Sequence, residues 1–342
     1  MHVLAYAHRP NYGSDREVGF RFCNVNSNHI TAKYVSKEDF VGDDPTERLL
    51  KVDKYLSFIP RRWRFYFAHL EFQLLAYCTQ TENFIVVSFT QVCVPILYGG
   101  NNILYGPMGT TLPFEHGLLS KLTRTYIYWN ILRLNYRLFV PKNANVAFVH
   151  PFLADRLGFL NAPVFTALDF SYIESTSSEG CRDIDVIAVI RNVSFKRKGL
   201  IESTFAELAK SGLKCVIVNG DSQGDKKKKG FTELGRRSRL EVLSLFKRSK
   251  LHFFPSYELA GFVVGEAIMS GCPSLCYENN GGDFLLAPTE KFVFSKVVSV
   301  KSKIESIVSC PSLLEKESQN QKTNFLLIID KMKKKKALFY GL

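Results

Sequence analysis

No two of the eight cysteines stand at C-x-x-C spacing. They are scattered at 23, 78, 93, 181, 215, 272, 276 and 310, so neither a zinc ribbon nor a redox dithiol is written into the chain, and reduced structural thiols are expected. No apolar run reaches the roughly 20 residues that cross a bilayer as a helix. The longest, Phe84 to Tyr98, is broken by Ser88, Thr90 and Gln91. Met1 runs straight into the short apolar stretch His2–Ala7, without the charged start and long apolar core of a secretory signal, and a cytoplasmic location is expected. Acidic residues are in deficit. Asp and Glu total 32 against 45 Lys and Arg, a formal charge of +13, which favours an anionic partner such as a phosphate ligand, nucleic acid or acidic membrane and excludes no fold. What is present is ordinary for a globular chain: 46% hydrophobic and 23% charged residues exclude disorder and a collagen-like fold. At about 100–200 residues per domain, the 342 residues point to two domains.

Short apolar runs alternate with longer helical patterns along the whole chain, the signature of parallel βαβ units, and the expected class is α/β. In the first half the pattern predicts strands at His2–Ala7, Phe84–Ser88, Ile103–Tyr105 and Val146–Val149, with helices near Arg16–Asn24, Trp63–Thr79 and Leu118–Phe139. The second half restarts it. Strands are expected at Val186–Ile190, Cys215–Asn219, Leu251–Phe254, Ser274–Tyr277 and Lys291–Phe294, and helices near Ile201–Lys210, Arg239–Ser249 and Val263–Ser270. Between the halves, Ile173 to Arg182 is polar and aperiodic, as an interdomain linker should be. The lysine runs 226–229 and 333–336 read as solvated loops or helix faces.

Chemistry concentrates between Leu251 and Gly282. There a strand ends at Pro255-Ser256, a loop carries Glu258 and Gly261, and a helix carries Glu266 before stopping near Gly271. Eight residues apart, the two carboxylates can both face the crevice at the carboxyl ends of the strands, where open α/β sheets bind ligands. Free amides and the positive dipole end at a helix start favour a diphosphate, and a carboxylate can accept both hydroxyls of a ribose. Pro255-Ser256-Tyr257-Glu258, Gly261, Glu266-Ala267 and Gly271-Cys272-Pro273 resemble the E-x7-E region of retaining GT-B glycosyltransferases, glycosyltransferase family 4. Leu259-Ala260 departs from the family's small residue followed by Phe. Val189-Ile190-Arg191 followed by Lys198-Gly199 is similar to the family's Gly-Arg and Lys-Gly pair, with Ile190 where glycine is usual. Two fixed cations beside a departing nucleoside diphosphate would stabilise its developing charge without a metal.

The resemblance implies a GT-B fold, two Rossmann-like domains facing across a cleft: 1–172 for the acceptor, 183–322 for the nucleotide sugar, and 323–342 a helix crossing back to the first domain. It implies transfer of a sugar from a nucleotide donor to a hydroxyl acceptor, with retention and without a metal or other cofactor. The acceptor would be a glycan, a lipid-linked glycan or a polysaccharide precursor. Catalytic roles fall to Arg191, Lys198 and Glu258, with Lys196 competing for the phosphate role. Donor binding falls to Gly13, Gly261, Phe262 and Glu266. Asn11-Tyr12-Gly13-Ser14-Asp15 is similar to the family's glycine-containing loop near the phosphates, and Tyr105-Gly106-Pro107-Met108-Gly109 to a Gly-Pro-x-Gly segment at the cleft. Gly106, Met108 and His150 are the acceptor-side candidates, with His116 behind His150. A metal-binding D-x-D at Asp183-Ile184-Asp185 is disfavoured because it precedes its apolar strand.

Residues 61–67 and 121–142 interleave cations with aromatics, a composition that suits an anionic membrane surface, with nucleic acid behind it. Peripheral attachment to the cytoplasmic membrane face follows as an expectation. Two alternatives stand beside the transferase: a nucleotide-sugar epimerase on the same scaffold, and a noncatalytic basic protein binding membrane or nucleic acid.

Overall fold

The structure, a computed structural model, describes residues 2–7, 31–36, 84–87, 103–105, 130, 133, 145–148, 150–159, 161–162, 164, 182–191, 196–259 and 261–340. The chain divides into two compact units, Met1–Asp169 with Met332–Leu342, and Phe170–Lys331.

In the first unit, β1 (His2–Ala7), β2 (Thr31–Ser36), β3 (Phe84–Val87), β4 (Ile103–Tyr105) and β5 (Asn145–Ala147) form one sheet in the order β2-β1-β3-β4-β5. All four pairings are parallel, with His2 opposite both Thr31 and Phe84, and Ile103 opposite both Ile85 and Asn145. Near-continuous apolar runs such as Ile85-Val86-Val87 are what parallel strands commonly carry. Helix α1 (Pro151–Leu157) follows, started by His150 and Pro151 and stopped by Gly158 at φ 84, a left-handed position that glycine takes without strain.

The second unit is built from β6 (Ile184–Ile190), α2 (Lys198–Lys210), β7 (Cys215–Asn219), β8 (Lys226–Lys228), β9 (Phe231–Leu234), α3 (Arg239–Lys247), β10 (Ser249–Phe254), α4 (Phe262–Met269), β11 (Ser274–Tyr277), α5 (Gly281–Leu286), β12 (Val293–Phe294), α6 (Val300–Val308) and α7 (Pro311–Tyr340). Its sheet order is β12-β11-β10-β6-β7-β9-β8. The chain winds outward from β6 through β7 to β9, then returns to lay β10 on the other side of β6. That reversal is a topological switch point, which opens a crevice at the carboxyl ends of β6 and β10.

Alternation along the strands feeds two cores. Val186, Ala188 and Ile190 face one with Ile201, Phe205 and Leu208 of α2 and with Phe253. Ile187 faces the other with Val216, Val218, Val242, Phe246 and Ala267, and Ile184, the first residue of β6, packs into that second cluster despite its position in the alternation. Spacings of three and four put Ile201, Phe205 and Leu208 on one stripe of α2, and burying each is worth roughly 1.5–3 kcal/mol. Helix α3 begins with a capping box: Ser238 Oγ accepts from Glu241 N at 3.3 Å, and Ser238 N donates to Glu241 Oε2 at 2.7 Å. Helix α7 is moored to β11 by Gln321, whose Oε1 accepts from Ser274 N at 2.9 Å while its Nε2 donates to Ser274 O at 3.0 Å.

The lysine run 226–229 is not a loop. It forms the antiparallel edge strand β8, with Lys228 opposite Phe231, because Lys229 (φ 44) and Gly230 (φ 90) supply the two positive φ values of a tight hairpin. Lysines on an edge strand also discourage pairing with another chain. Lys291–Phe294 is only half strand, since Glu290–Phe292 is a 3₁₀ turn ahead of β12. The expected helices Arg16–Asn24 and Trp63–Thr79 lie outside the described residues. Of Leu118–Phe139 only Asn130 and Arg133 are described, both helical, and of the expected linker only Arg182, whose Nη2 donates to Gly271 O at 2.8 Å.

Candidate functional site

The loops after β6 and β10 meet at the switch point. Leaving β10, Ser256 Oγ accepts from Glu258 N at 3.1 Å, and Glu258 O accepts from Gly281 N at 2.8 Å. Fully buried Asn280 fixes this bend from outside: its Nδ2 donates to Ser256 O at 2.8 Å and Phe254 O at 3.3 Å, while its Oδ1 accepts from Asp283 N at 2.9 Å. Gly261, at φ +59, starts α4. A Cβ on Gly281 would lie 2.4 Å from Leu259 O and 2.7 Å from Gly261 N, so the two loops touch backbone to backbone only because glycine is there.

On this frame both predicted glutamates carry a cation. Glu258 Oε2 accepts from Lys196 Nζ, a pair with side chains 14% and 12% exposed. Glu266, in α4, accepts on Oε1 from Arg239 Nη2 at 2.5 Å, and its side chain is 16% exposed. Lys196 also lies 5.7 Å from the centre of the Phe254 ring. Phe262, the first residue of α4, is half-buried.

The predicted cations lie differently. Arg191 is exposed at the end of β6, beside Gly220, where an added Cβ would come 3.8 Å from Arg191 Cγ. Lys198 opens α2 and stands 4.0 Å from both Glu202 Oε1 and Glu233 Oε1. Glu233 is buried and also pairs with Lys228 and accepts from Asn219 Nδ2 at 2.7 Å. Burial alone would raise its carboxyl pKa, but Lys228, Asn219 and Lys198 together hold it below the ordinary value. The cation brought to Glu258 is therefore Lys196.

His150 is buried and caps α1, its Nδ1 accepting from Phe152 N at 3.1 Å. Gly13, Gly106, Met108 and His116 lie outside the described residues. Asp183 and Asp185 sit at the amino end of β6, away from the crevice. Asp183 accepts from Arg248 Nε and Nη2 at 2.8 and 2.7 Å and from Lys214 Nζ at 2.7 Å, and Asp185 from Lys250 Nζ at 2.6 Å. The bonds from Arg248 and Lys214 hold the Asp183 carboxyl well below the usual range. Sequence reading gave no role to Arg239, Arg197, Tyr277 or Asn280, and quoted Tyr257 only as part of the motif around Glu258. Of the first four, Asn280 left a signal, an Asn followed by Gly281-Gly282 between a strand and a helix.

No family model and no curated protein matches the sequence. Solved structures do resemble it in shape. TarM has a TM-score of 0.58 at 14% identity over 80% of this chain, which spans 58% of TarM's length. Anabaena Alr3699/HepE in complex with UDP-glucose has a TM-score of 0.64 at 11% identity, each chain covered over 100% of its length. The trehalose-6-phosphate synthase OtsA has 0.65 at 9% identity, over 100% of this chain and 99% of the other. These likenesses show the fold: GT-B, with two Rossmann-like α/β domains.

Proposed function

We propose that this protein is a metal-independent retaining glycosyltransferase that moves a hexose from a nucleotide sugar to a hydroxyl acceptor. The observation that carries the reading is the pair of glutamates, Glu258 in the loop after β10 and Glu266 in the helix that follows, each already met by a cation. UDP-glucose in Alr3699/HepE, on the same fold, supports a donor of that class. Glu266 would hold the ribose hydroxyls with Arg239 steadying its carboxylate, and Glu258 would orient the donor sugar. An ammonium carries three donors, enough for Lys196 to serve a carboxylate and a phosphate oxygen at once. Arg191, with Lys196 or Lys198, would stabilise the leaving diphosphate, so that the acceptor attacks the face the nucleotide leaves. Fixed cations do this without reorganising as charge develops.

The acceptor in this reading is a glycan or lipid-linked glycan for polysaccharide synthesis, met at the anionic cytoplasmic membrane face. Among the described residues no helix is long and apolar enough to cross a membrane. Helix α7 nonetheless exposes Leu326 and Leu327 and, one to two turns on, Lys331, Lys333 and Lys334, a mixture that suits a surface of acidic lipid.

The test is a thermal-shift panel of nucleotide sugars with and without EDTA. A ligand that binds only the folded state raises its stability, so at least one nucleotide sugar should raise the melting temperature equally under both conditions. A panel in which none does overturns the reading. A shift abolished by EDTA overturns metal independence, and sugar conversion without an acceptor would make the protein an epimerase.

A further inference from the structure

Two consecutive residues ahead of α2 engage two consecutive residues behind β10. Lys196 meets Glu258, and the guanidinium of Arg197 lies over the ring of Tyr257, 4.6 Å from its centre. The same guanidinium covers Tyr277, at the end of β11, at 4.9 Å. The two rings stand edge to face, 5.2 Å apart at 87°, and Arg197 Nη1 comes within 3.5 Å of Pro255 O. One side chain from the loop after β6 therefore grips the carboxyl ends of both β10 and β11.

The backbone makes this costly. Arg197 sits at φ 53, ψ 45, a left-handed conformation strained for any residue with a Cβ and open to glycine. It also stands at the cap position of α2, where its side chain makes no capping bond. Neither turn nor helix calls for an arginine here. The stacking does, because a guanidinium over a tyrosine face is attracted by the ring quadrupole, and two faces compensate the strain better than one.

We infer that Arg197 is a positioning residue: clamped between Tyr257 and Tyr277, it fixes the loop so that Lys196 faces Glu258. The effect on donor binding rests on the transferase reading above; the effect on Lys196 does not.

The experiment reads the two separately. Lysines are reductively methylated with ¹³C, the Lys196 signal is assigned by its loss in Lys196→Arg, and its shift is compared in wild type, Glu258→Gln, Arg197→Gly and Arg197→Lys. UDP-glucose affinity is measured on the same proteins. Arg197→Gly relieves the strained φ, so its melting temperature should not fall, yet its Lys196 signal should move to the position seen in Glu258→Gln. UDP-glucose affinity should drop several-fold in Arg197→Gly and return in part in Arg197→Lys, which restores a cation over the rings. Should Arg197→Gly fail to fold, Tyr277→Leu removes one ring from the clamp and is expected to shift Lys196 in the same direction. A Lys196 signal that stays at its wild-type position in whichever of these two folds overturns the proposal. If wild type binds no UDP-glucose, that donor fails while the Lys196 signal still decides the clamp.

Discussion

Arg239 Nη2 donates to Glu266 Oε1 at 2.5 Å, tying the first turn of α3 to α4. A cation in the first turn of a helix opposes the helix dipole by about 0.3–1 kcal/mol, so α3 alone does not favour arginine there. The pairing with Glu266 does. Arg239→Ala should therefore lower stability only modestly, because relief of the dipole offsets part of the lost pair, while weakening UDP-glucose binding several-fold by removing the bond that orients Glu266 Oε1. Glu266→Ala and Arg191→Ala should each weaken it at least several-fold. Denaturant midpoints and calorimetric titration on the three variants check this, and unchanged donor affinity in Glu266→Ala together with Arg191→Ala would remove the site assignment.

Lys196 and Lys198 can be separated. Lys198 stands among Glu202 and Glu233, whereas Lys196 is held against Glu258. Lys196→Gln should reduce UDP affinity more than Lys198→Gln, and Lys198→Gln should instead lower the melting temperature, because buried Glu233 loses one of its cations. The reverse order in affinity would return the phosphate role to Lys198.

Strands whose apolar runs are short and closed by polar residues, such as Cys215–Asn219 and Ser274–Tyr277, were legible to the residue, because each end of the run is also the end of the ladder. So was the placement of Glu258 in a loop and Glu266 in the helix after it. The strand Lys226–Lys228 was not, since three lysines carry no apolar pattern and the pairing comes from the turn behind them. Nor were Arg239 and Arg197, whose partners lie 27 and 60 residues away in sequence. Periodicity reports which face a residue is on, while a cation's partner depends on how strands are ordered in the sheet.

Gly281→Ala should disturb the site from beneath. Its new Cβ would meet Leu259 O and Gly261 N, and backbone cannot rotate aside as a flexible side chain can. Overpacking of this kind costs about 1–3 kcal/mol, so the melting temperature should fall and donor affinity with it. Ala at Gly224, where an added Cβ has nothing within 4 Å, is the control and should leave affinity unchanged. Equal effects of the two substitutions would show that the Gly281 contact does not hold the Glu258 loop.

His252 gives stability a pH dependence whose sign is fixed. It is fully buried between Phe246 and Phe254, its Nδ1 2.9 Å from Ser274 Oγ. Desolvation, aided by the charge of Lys196, lowers its pKa from 6.5 to about 3. Between those values the unfolded chain binds a proton that the native state refuses, so stability falls as pH drops from about 6.5 toward 3. The loss should reach roughly 3 kcal/mol at pH 4, at about 1.4 kcal/mol per unit. His252→Phe, close in size, should flatten that part of the profile relative to wild type in urea titrations at pH 7, 5.5 and 4. Parallel profiles for the two proteins would mean His252 takes up its proton without unfolding.

The lysine-rich end of α7 offers the last check, on where the proposed acceptor is met. Lys331 and Lys333–Lys336 place five lysines within six residues, preceded by a single acidic residue, Asp330. At about 1 kcal/mol per lysine near an anionic surface, such a run should bring the protein down with vesicles containing phosphatidylserine and leave it in solution with phosphatidylcholine alone. Because the attraction is screened over about 8–10 Å at physiological salt, binding should weaken steeply between low and high ionic strength. Replacing Lys331, Lys333 and Lys334 with Glu should abolish it without changing UDP-glucose affinity, since these side chains stand apart from Glu258 and Glu266 in the chain and are exposed on a different element. Cosedimentation that persists in the triple variant would move the membrane contact elsewhere, with the basic aromatic stretch at 121–142 next in line. Equal binding to neutral vesicles would show that charge is not what holds the protein to the surface.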